Sequence, residues 1–366
     1  MQKKIIALAV AAAFSAPASA DVSFYGIVDA AVASVSASGQ KSDLIATSGA
    51  ASQSRLGVKA TEDLGNGLTG VAVVEYGLDT ETANQTGITA AGSATGIATN
   101  ASALAPRQQM LAVSGDFGTV ATGYLQTAAY DFLAKYDPIY GSGSSAHTIV
   151  AKGFLVGSAA QRAQRAVAYI SPNLNGLVLA ANYATALAGL GDLGLASTAT
   201  TGLKTTAYIL SANYAVDALS VGGVYAATSN SSTGATTNKE WALGASYDLG
   251  PAKVMGTYQS DTPSTAGASA STVLSGAVLV PVSTGVVGLM YAKNSIGGVS
   301  ANSGAAFTGG YLHTFTKNTA GYIVLSQVTN GSASRTYTVS NNALSNANFT
   351  LGGSSTLFGV GLRKKF

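Results

Sequence analysis

STLFGVGLRKKF, residues 355–366, closes the chain with Phe358, Val360 and Leu362 on one parity, Leu357 and Gly359 on the other, and an aromatic residue last. Successive side chains of a strand point to opposite faces, and a chain end left in water usually frays into polar residues. This end reads as a strand that must be held by a partner.

The remainder of the chain repeats the device. Forty-four glycines, 17 tyrosines and only 7 prolines suit many strands joined by tight turns, because glycine weakens helix interiors and tyrosine favours strands. In EWALGASYDLG (240–250), Trp241, Leu243, Ala245 and Tyr247 share one parity and Glu240, Ala242, Gly244 and Ser246 the other. TAYILSANYAVD (206–217) does the same with Tyr208, Leu210, Ala212 and Tyr214. Seven short connections (64–67, 115–118, 172–176, 216–218, 248–251, 283–284 and 316–319) interleave with eight long ones rich in Ala, Gly, Ser, Thr and Asn, at 37–53, 77–106, 127–161, 186–204, 228–239, 260–271, 294–304 and 329–354. Fifteen connections predict sixteen strands of about ten residues, the length of a tilted membrane strand.

An even number of strands puts both termini on one side, and lipid tolerates a sheet only when it closes without an unpaired edge. The expected fold is therefore all-β, a sixteen-stranded antiparallel transmembrane barrel in which the last strand pairs with the first, DVSFYGIVDAAV (21–32). Tyr169, Tyr214, Tyr247, Phe315 and Tyr322, next to short turns, are expected at a lipid interface. A soluble sandwich or an adhesin repeat would also alternate, but no fixed repeat of about 20–50 residues recurs. SGAVLVPVSTGVVGLMYAK (275–293) is apolar on both parities, which fits either a protein-covered outer wall between subunits or an apolar lumen wall.

Composition narrows the function. MQKKIIALAVAAAFSAPASA (1–20) has a basic start, an apolar run too short to span as a helix, and an Ala18-Ser19-Ala20 cleavage pattern. It reads as a signal peptide, leaving a barrel domain of 21–366. Without Lys3 and Lys4 the balance is 17 basic to 16 acidic residues, which argues against nucleic acid as a partner. There is no cysteine, and the two histidines, His147 and His313, are far apart, so no cofactor or metal site is expected. GLGDLG (189–194) fits G-x-G-x-x-G but lies in a loop without the strand and helix a dinucleotide site requires. His313 falls on the outward parity with Tyr311 and Phe315. A hydrolase would need Ser144 or Ser145 within hydrogen-bond reach of His147, with an acid behind it.

SFYGIVDAAV, SRLGVKATEDLGNGLTGVAVVEYG, SGDFGTVATGY, YDPIYG, RAQRAVAYISPNLNGL, GYLHTFTKNTAGY and GLRKKF, in that order along nearly the whole chain after the leader, resemble the sixteen-stranded trimeric general porins of Gram-negative outer membranes, in particular the β-proteobacterial branch. The resemblance implies passive diffusion of small hydrophilic solutes and ions, with no enzymatic activity. It implies a homotrimer in outer-membrane lipid and lipopolysaccharide, a third long loop folded inward, and a second long loop latching a neighbouring subunit. It also implies that Phe366 is part of the signal read by the outer-membrane assembly machinery.

A pore selects by its radius and by rings of charge at its waist. In SRLGVKATEDL the apolar parity is Leu56 and Val58, so Arg55 and Lys59 point to the lumen. Arg162, leading a strand with Val167 and Tyr169 outward, joins them by alternation. Asp131 and Asp137 lie on the third loop and are expected to face these cations, setting up a transverse field. The same charges could serve only as solvated or loop-anchoring groups. Asp29 and Glu75 also fall on the lumen parity, as partners for wall cations or as structural groups. Tyr124 and Ala168 stand where the resembling family commonly has basic residues, which weakens the case for strong anion preference. Two other readings stay open: a substrate-specific channel, and a plugged barrel acting as a surface adhesin or structural protein.

Overall fold

A computed structural model describes residues 20–78, 80, 105–151, 162–187, 205–230, 236–262, 270–297, 299–334, 336–339 and 350–366. The leader through Ser19, most of the second long loop and the GLGDLG stretch lie outside the described residues.

The strands are β1 (Asp21–Ala37), β2 (Asp43–Ser48), β3 (Arg55–Gly65), β4 (Leu68–Gly77), β5 (Ala105–Gly115), β6 (Gly118–Gln126), β7 (Arg162–Ile170), β8 (Leu177–Leu187) and β9 (Thr205–Val216). They continue as β10 (Leu219–Asn230), β11 (Thr236–Asp248), β12 (Lys253–Thr262), β13 (Ser271–Val282), β14 (Gly285–Ile296), β15 (Gly304–Thr316), β16 (Thr319–Asn330) and β17 (Ser354–Lys365). Each pairs antiparallel with its neighbours, and β17 returns to β1, from Ile27 opposite Lys365 to Ala37 opposite Ser355. The terminal residue seals the seam, since Gly26 N–H donates to Phe366 O over 2.9 Å and Phe366 N–H to Gly26 O over 3.1 Å.

The other edge of β1 carries two segments end to end: its first half pairs with β3 and its second half with β2. They form one barrel strand interrupted at 49–54, so the seventeen segments close a sixteen-stranded barrel. Here the first long loop expected at 37–53 is corrected, because the chain turns within 38–42 and β2 follows at once. The interruption is built: Gly49, at φ +72°, donates its N–H to Asp29 O over 3.0 Å, and Ser54 Oγ accepts from Asp29 N–H over 2.9 Å.

All seven short turns fall where the alternation placed them. Asn66 (φ 53°) and Gly67 (φ 75°) link β3 to β4 with the two positive φ values a type I′ hairpin turn needs. Alternation sorts the two faces. Leu111, Tyr208, Leu243, Leu274 and Phe358 stand on the outside and are each more than half exposed, an apolar belt that water would not tolerate but lipid satisfies. Tyr169, Tyr214, Tyr247 and Phe315 ring the short-turn end of that belt, and Tyr208, Trp241, Tyr258 and Tyr291 the other. Tyr322 departs from the expected girdle: it lies on the inward parity opposite Leu312 and Gly361, 5% exposed, with its ring in the space a Cβ at Gly361 would occupy.

The inner parity of 275–293 forms an apolar lumen wall. Ala277, Met290 and Ala292 share one core cluster with Ile149 and Val150 of the inward-folded connection. The opposite parity, with Leu289 and Tyr291, remains on the outer surface.

Candidate channel constriction

The connection after β6 folds into the barrel as two helices, α1 (Ala128–Tyr136) and α2 (Ala146–Val150). Thr127 caps α1 by accepting from Tyr130 N–H over 3.3 Å, and Asp131 in the first turn and Lys135 in the last complement the helix dipole. Its apolar stripe of Ala128, Ala129, Phe132, Leu133 and Tyr136 is buried, packed with Ala207, Ile209, Ala226 and Ala242 of the barrel wall. Small side chains on the wall leave room for this helix, since Tyr136 occupies the space a Cβ at Gly244 would need. Asp137, held extended before Pro138, ends α1.

The second helix is pinned to the opposite wall. Thr308 Oγ1 donates to Ser144 O over 2.5 Å and Asn294 Nδ2 to Val150 O over 3.0 Å. A third tie runs to the break in the second strand, where Gly143 N–H donates to Gly49 O over 3.1 Å. Opposite walls and the 49–54 bulge thus fix the loop against the inside of the barrel.

Four strands and the bulge bring charge together beside α1. Glu75 on β4 accepts from Arg107 Nε over 2.6 Å and lies 3.6 Å from Arg55 Nε. Gln53, in the bulge, accepts from both: its side-chain oxygen from Arg107 and its backbone oxygen from Arg55 Nη1 over 3.1 Å. Arg162 at the start of β7 lies over the Tyr130 ring of α1, 5.1 Å from its centroid, a cation–π contact, and within electrostatic range of Arg107. Three guanidinium groups thus gather around one wall carboxylate. Asp131 is exposed on α1, its carboxylate accepting from Gln126 Nε2 over 2.5 Å and in the field of Arg162 and Lys135.

The other anticipated residues sit elsewhere. Lys59 is exposed on the lumen parity, opposite Val73 and nearer the short turn than Arg55. Asp137 does not face the arginines: it is 3% exposed, accepting from Ser145 Oγ over 2.5 Å and Ile139 N–H over 2.9 Å, with burial pushing its carboxyl up to about 6. It clamps the joint between the two helices. Asp29 is fully buried and accepts from Tyr322 Oη over 2.5 Å, away from the waist. Phe366 holds the barrel seam.

Arg107 is the wall residue that alternation misses. In β5 it shares parity with Gln109 and the outward Leu111, but a bulge between Gln108 and Pro106 turns it inward. A lipid-facing arginine costs free energy at any depth of the bilayer, but the bulge that relieves the cost here is set by the register with β4, which the local sequence does not show.

Ser144 Oγ is buried without a hydrogen-bond partner among the described residues, Ser145 is committed to Asp137 and Thr148, and His147, 1% exposed, faces Ser275 Oγ with Nδ1 at 3.4 Å. Burial pushes His147 down to about 4, so the ring is neutral. The serine, histidine and acid of the hydrolase reading are therefore not brought into line. His313 lies in the outer girdle, 4.7 Å from the Phe315 ring.

A closed barrel with an apolar belt and an inward loop beside a charged waist defines a transmembrane channel of the porin type. The Gram-negative porin family model matches residues 7–333, and the chain belongs to that family. The outer membrane porin protein 32 of Delftia acidovorans is 32% identical over 194 residues, a match covering 50% of this chain and 50% of that protein. The chain therefore spans about half the length of that curated relative. Among solved structures, the anion-selective porin from Comamonas acidovorans aligns with TM-score 0.71 and 25% identity over 95% of this chain and 100% of that one. The trimer form of OmpT from Vibrio cholerae aligns with TM-score 0.62 and 16% identity over 95% and 100% of the two chains, a likeness of fold. Family and apolar belt together place the protein in the outer membrane.

Proposed function

We propose that the protein is a channel for passive diffusion of small hydrophilic solutes and ions, and that its waist favours anions. The carrying observation is the set of Arg55, Arg107 and Arg162 gathered around Glu75. A passing anion meets Arg55, whose side chain is 27% exposed, and the field of Arg107 and Arg162, which are buried and held by Glu75, Gln53 and Tyr130. Conduction needs a site favourable enough to enter and weak enough to leave. Glu75 supplies the second condition by competing for the same donors. Asp131 across from Arg162 gives the waist its transverse field.

Three findings support this reading. A solved structure named as an anion-selective porin aligns with this chain over 95% of its length. Both helices of the inward loop pack against the wall, which favours a lined passage over a plug. A homotrimer fits the family and the trimer form of the Vibrio protein. Planar-bilayer recording from the purified, folded protein tests the proposal: stepwise openings in threes support the trimeric channel, and silence from folded barrels contradicts it.

A further inference from the structure

On the short-turn side of α2 the inner wall is hollowed into a pocket of about 250 Å³. Its floor has no side chains, because Gly288 and Gly310 lie side by side on β14 and β15. A Cβ at Gly310 would come within 2.6 Å of Ile323 O, so the floor is fixed by the backbone. The sides are Leu279, Val286, Leu312 and Val324, and Pro138 and Ile139 of the inward loop overhang it. Arg363 stands at the edge. Its cross-strand neighbour Asp29 is buried, accepts from Tyr322 and lies within electrostatic range of Arg363 without pairing with it. Among the described residues no carboxylate lies within ion-pair distance of Arg363.

A porin lumen is ordinarily polar. An apolar hollow with one available guanidinium at its rim has the make-up of a small-molecule site, where apolar walls take the body of the ligand and a few polar groups fix its orientation. The volume is below the roughly 300–1,000 Å³ of drug-sized sites, which suits a single ring or a short chain. We infer that this hollow is a docking subsite for small amphipathic carboxylates, the ring or chain lying on Gly288 and Gly310 between Leu279 and Leu312 and the carboxylate on Arg363. The charge of Arg363 selects an anion over a cation, and the walls select an aromatic or aliphatic acid over a purely hydrophilic one. The subsite rests on the protein being a channel but not on the ion preference of the waist, from which it is separate.

The test is single-channel recording of the whole barrel in potassium chloride with benzoate added. Acetate serves as the anion without a ring, and benzyl alcohol as the ring without a charge. Resolved interruptions are expected with benzoate alone. Their dwell time should shorten about tenfold in Arg363→Gln, the loss expected for one charge-assisted hydrogen bond, and shorten also in Leu312→Asn. The two substitutions touch different halves of the site, so either one that folds decides the matter. Absence of benzoate events, equal events with acetate, or events unchanged in the folded variants overturn the inference. The reversal potential in the same recordings reports on the waist, so failure of one reading is distinct from failure of the other.

Discussion

Arg107 donates from Nε to Glu75 Oε1 over 2.6 Å although regular alternation along β5 would turn it to lipid. The pair is the centre of the proposed waist. The bulge brings a third guanidinium to a wall that already carries Arg55 and Arg162, and Glu75 restrains it without neutralising the group as a whole. Glu75→Gln should therefore strengthen anion preference while making the arginines less ordered. A larger chloride permeability ratio, with noisier open-channel current, is the expected result in salt-gradient recordings.

Tyr322 and Asp29 form the second internal link. Tyr322→Phe leaves a fully buried carboxylate without its 2.5 Å donor, a loss of about 1–3 kcal/mol. Because Asp29 O also holds Gly49 N–H, the 49–54 bulge should loosen with it. Faster hydrogen exchange at Gly49 and Gly143, with the barrel still heat-resistant on gels, checks this. Unchanged exchange would mean the bulge is held by other contacts.

At the seam, a Cβ on Gly26 would lie 2.3 Å from the Phe366 ring and 2.8 Å from Arg55 O. The ring can turn away, but the backbone oxygen cannot. Gly26→Ala should destabilise the closed barrel by about 1–3 kcal/mol, the usual cost of overpacking. A lower unfolding midpoint in urea after refolding into detergent would show it.

Inside the loop, two buried groups titrate in opposite senses. Asp137 is held protonated up to about 6 and His147 neutral down to about 4, both by burial, whereas in a released loop they would titrate near about 3.9 and 6.5. Between those limits docked Asp137 keeps a proton that the released form loses, so its contribution falls as pH rises from about 4 to 6. His147 acts the other way, because the released ring gains a proton as pH drops from about 6.5 to 4. Loop docking should accordingly be nearly flat across this range. Asp137→Asn should leave docking that weakens on acidification, and His147→Gln docking that strengthens, each by on the order of 2–3 kcal/mol. Hydrogen exchange at Ile139 and Thr148, corrected for intrinsic rate, reads both slopes, and slopes of the same sign would contradict the assignment.

The strands, the seven short turns and the closing of β17 on β1 were legible because each rests on a period of two or on turn residues, both local properties. Glu75 and Arg55 were legible for the same reason. Arg107 was not, because its direction depends on a bulge whose register is set by β4. Tyr322 looked like a girdle aromatic, yet its parity and the empty space over Gly361 send it inward. Asp137 looked like a pore acid because nothing local in YDPIYG reveals that Ser145, eight residues on, will bury it. Tyr124 and Ala168 stand where the resembling family commonly has basic residues, and Arg107, turned inward by the bulge, adds a wall cation outside those positions.

The most direct test of the central claim is the reversal potential under a potassium chloride gradient, measured for the unaltered channel and for Arg107→Gln. The arginine waist predicts a potential on the chloride side for the unaltered channel and a shift toward zero in the variant. A potential on the potassium side, or one that Arg107→Gln leaves in place, would contradict it.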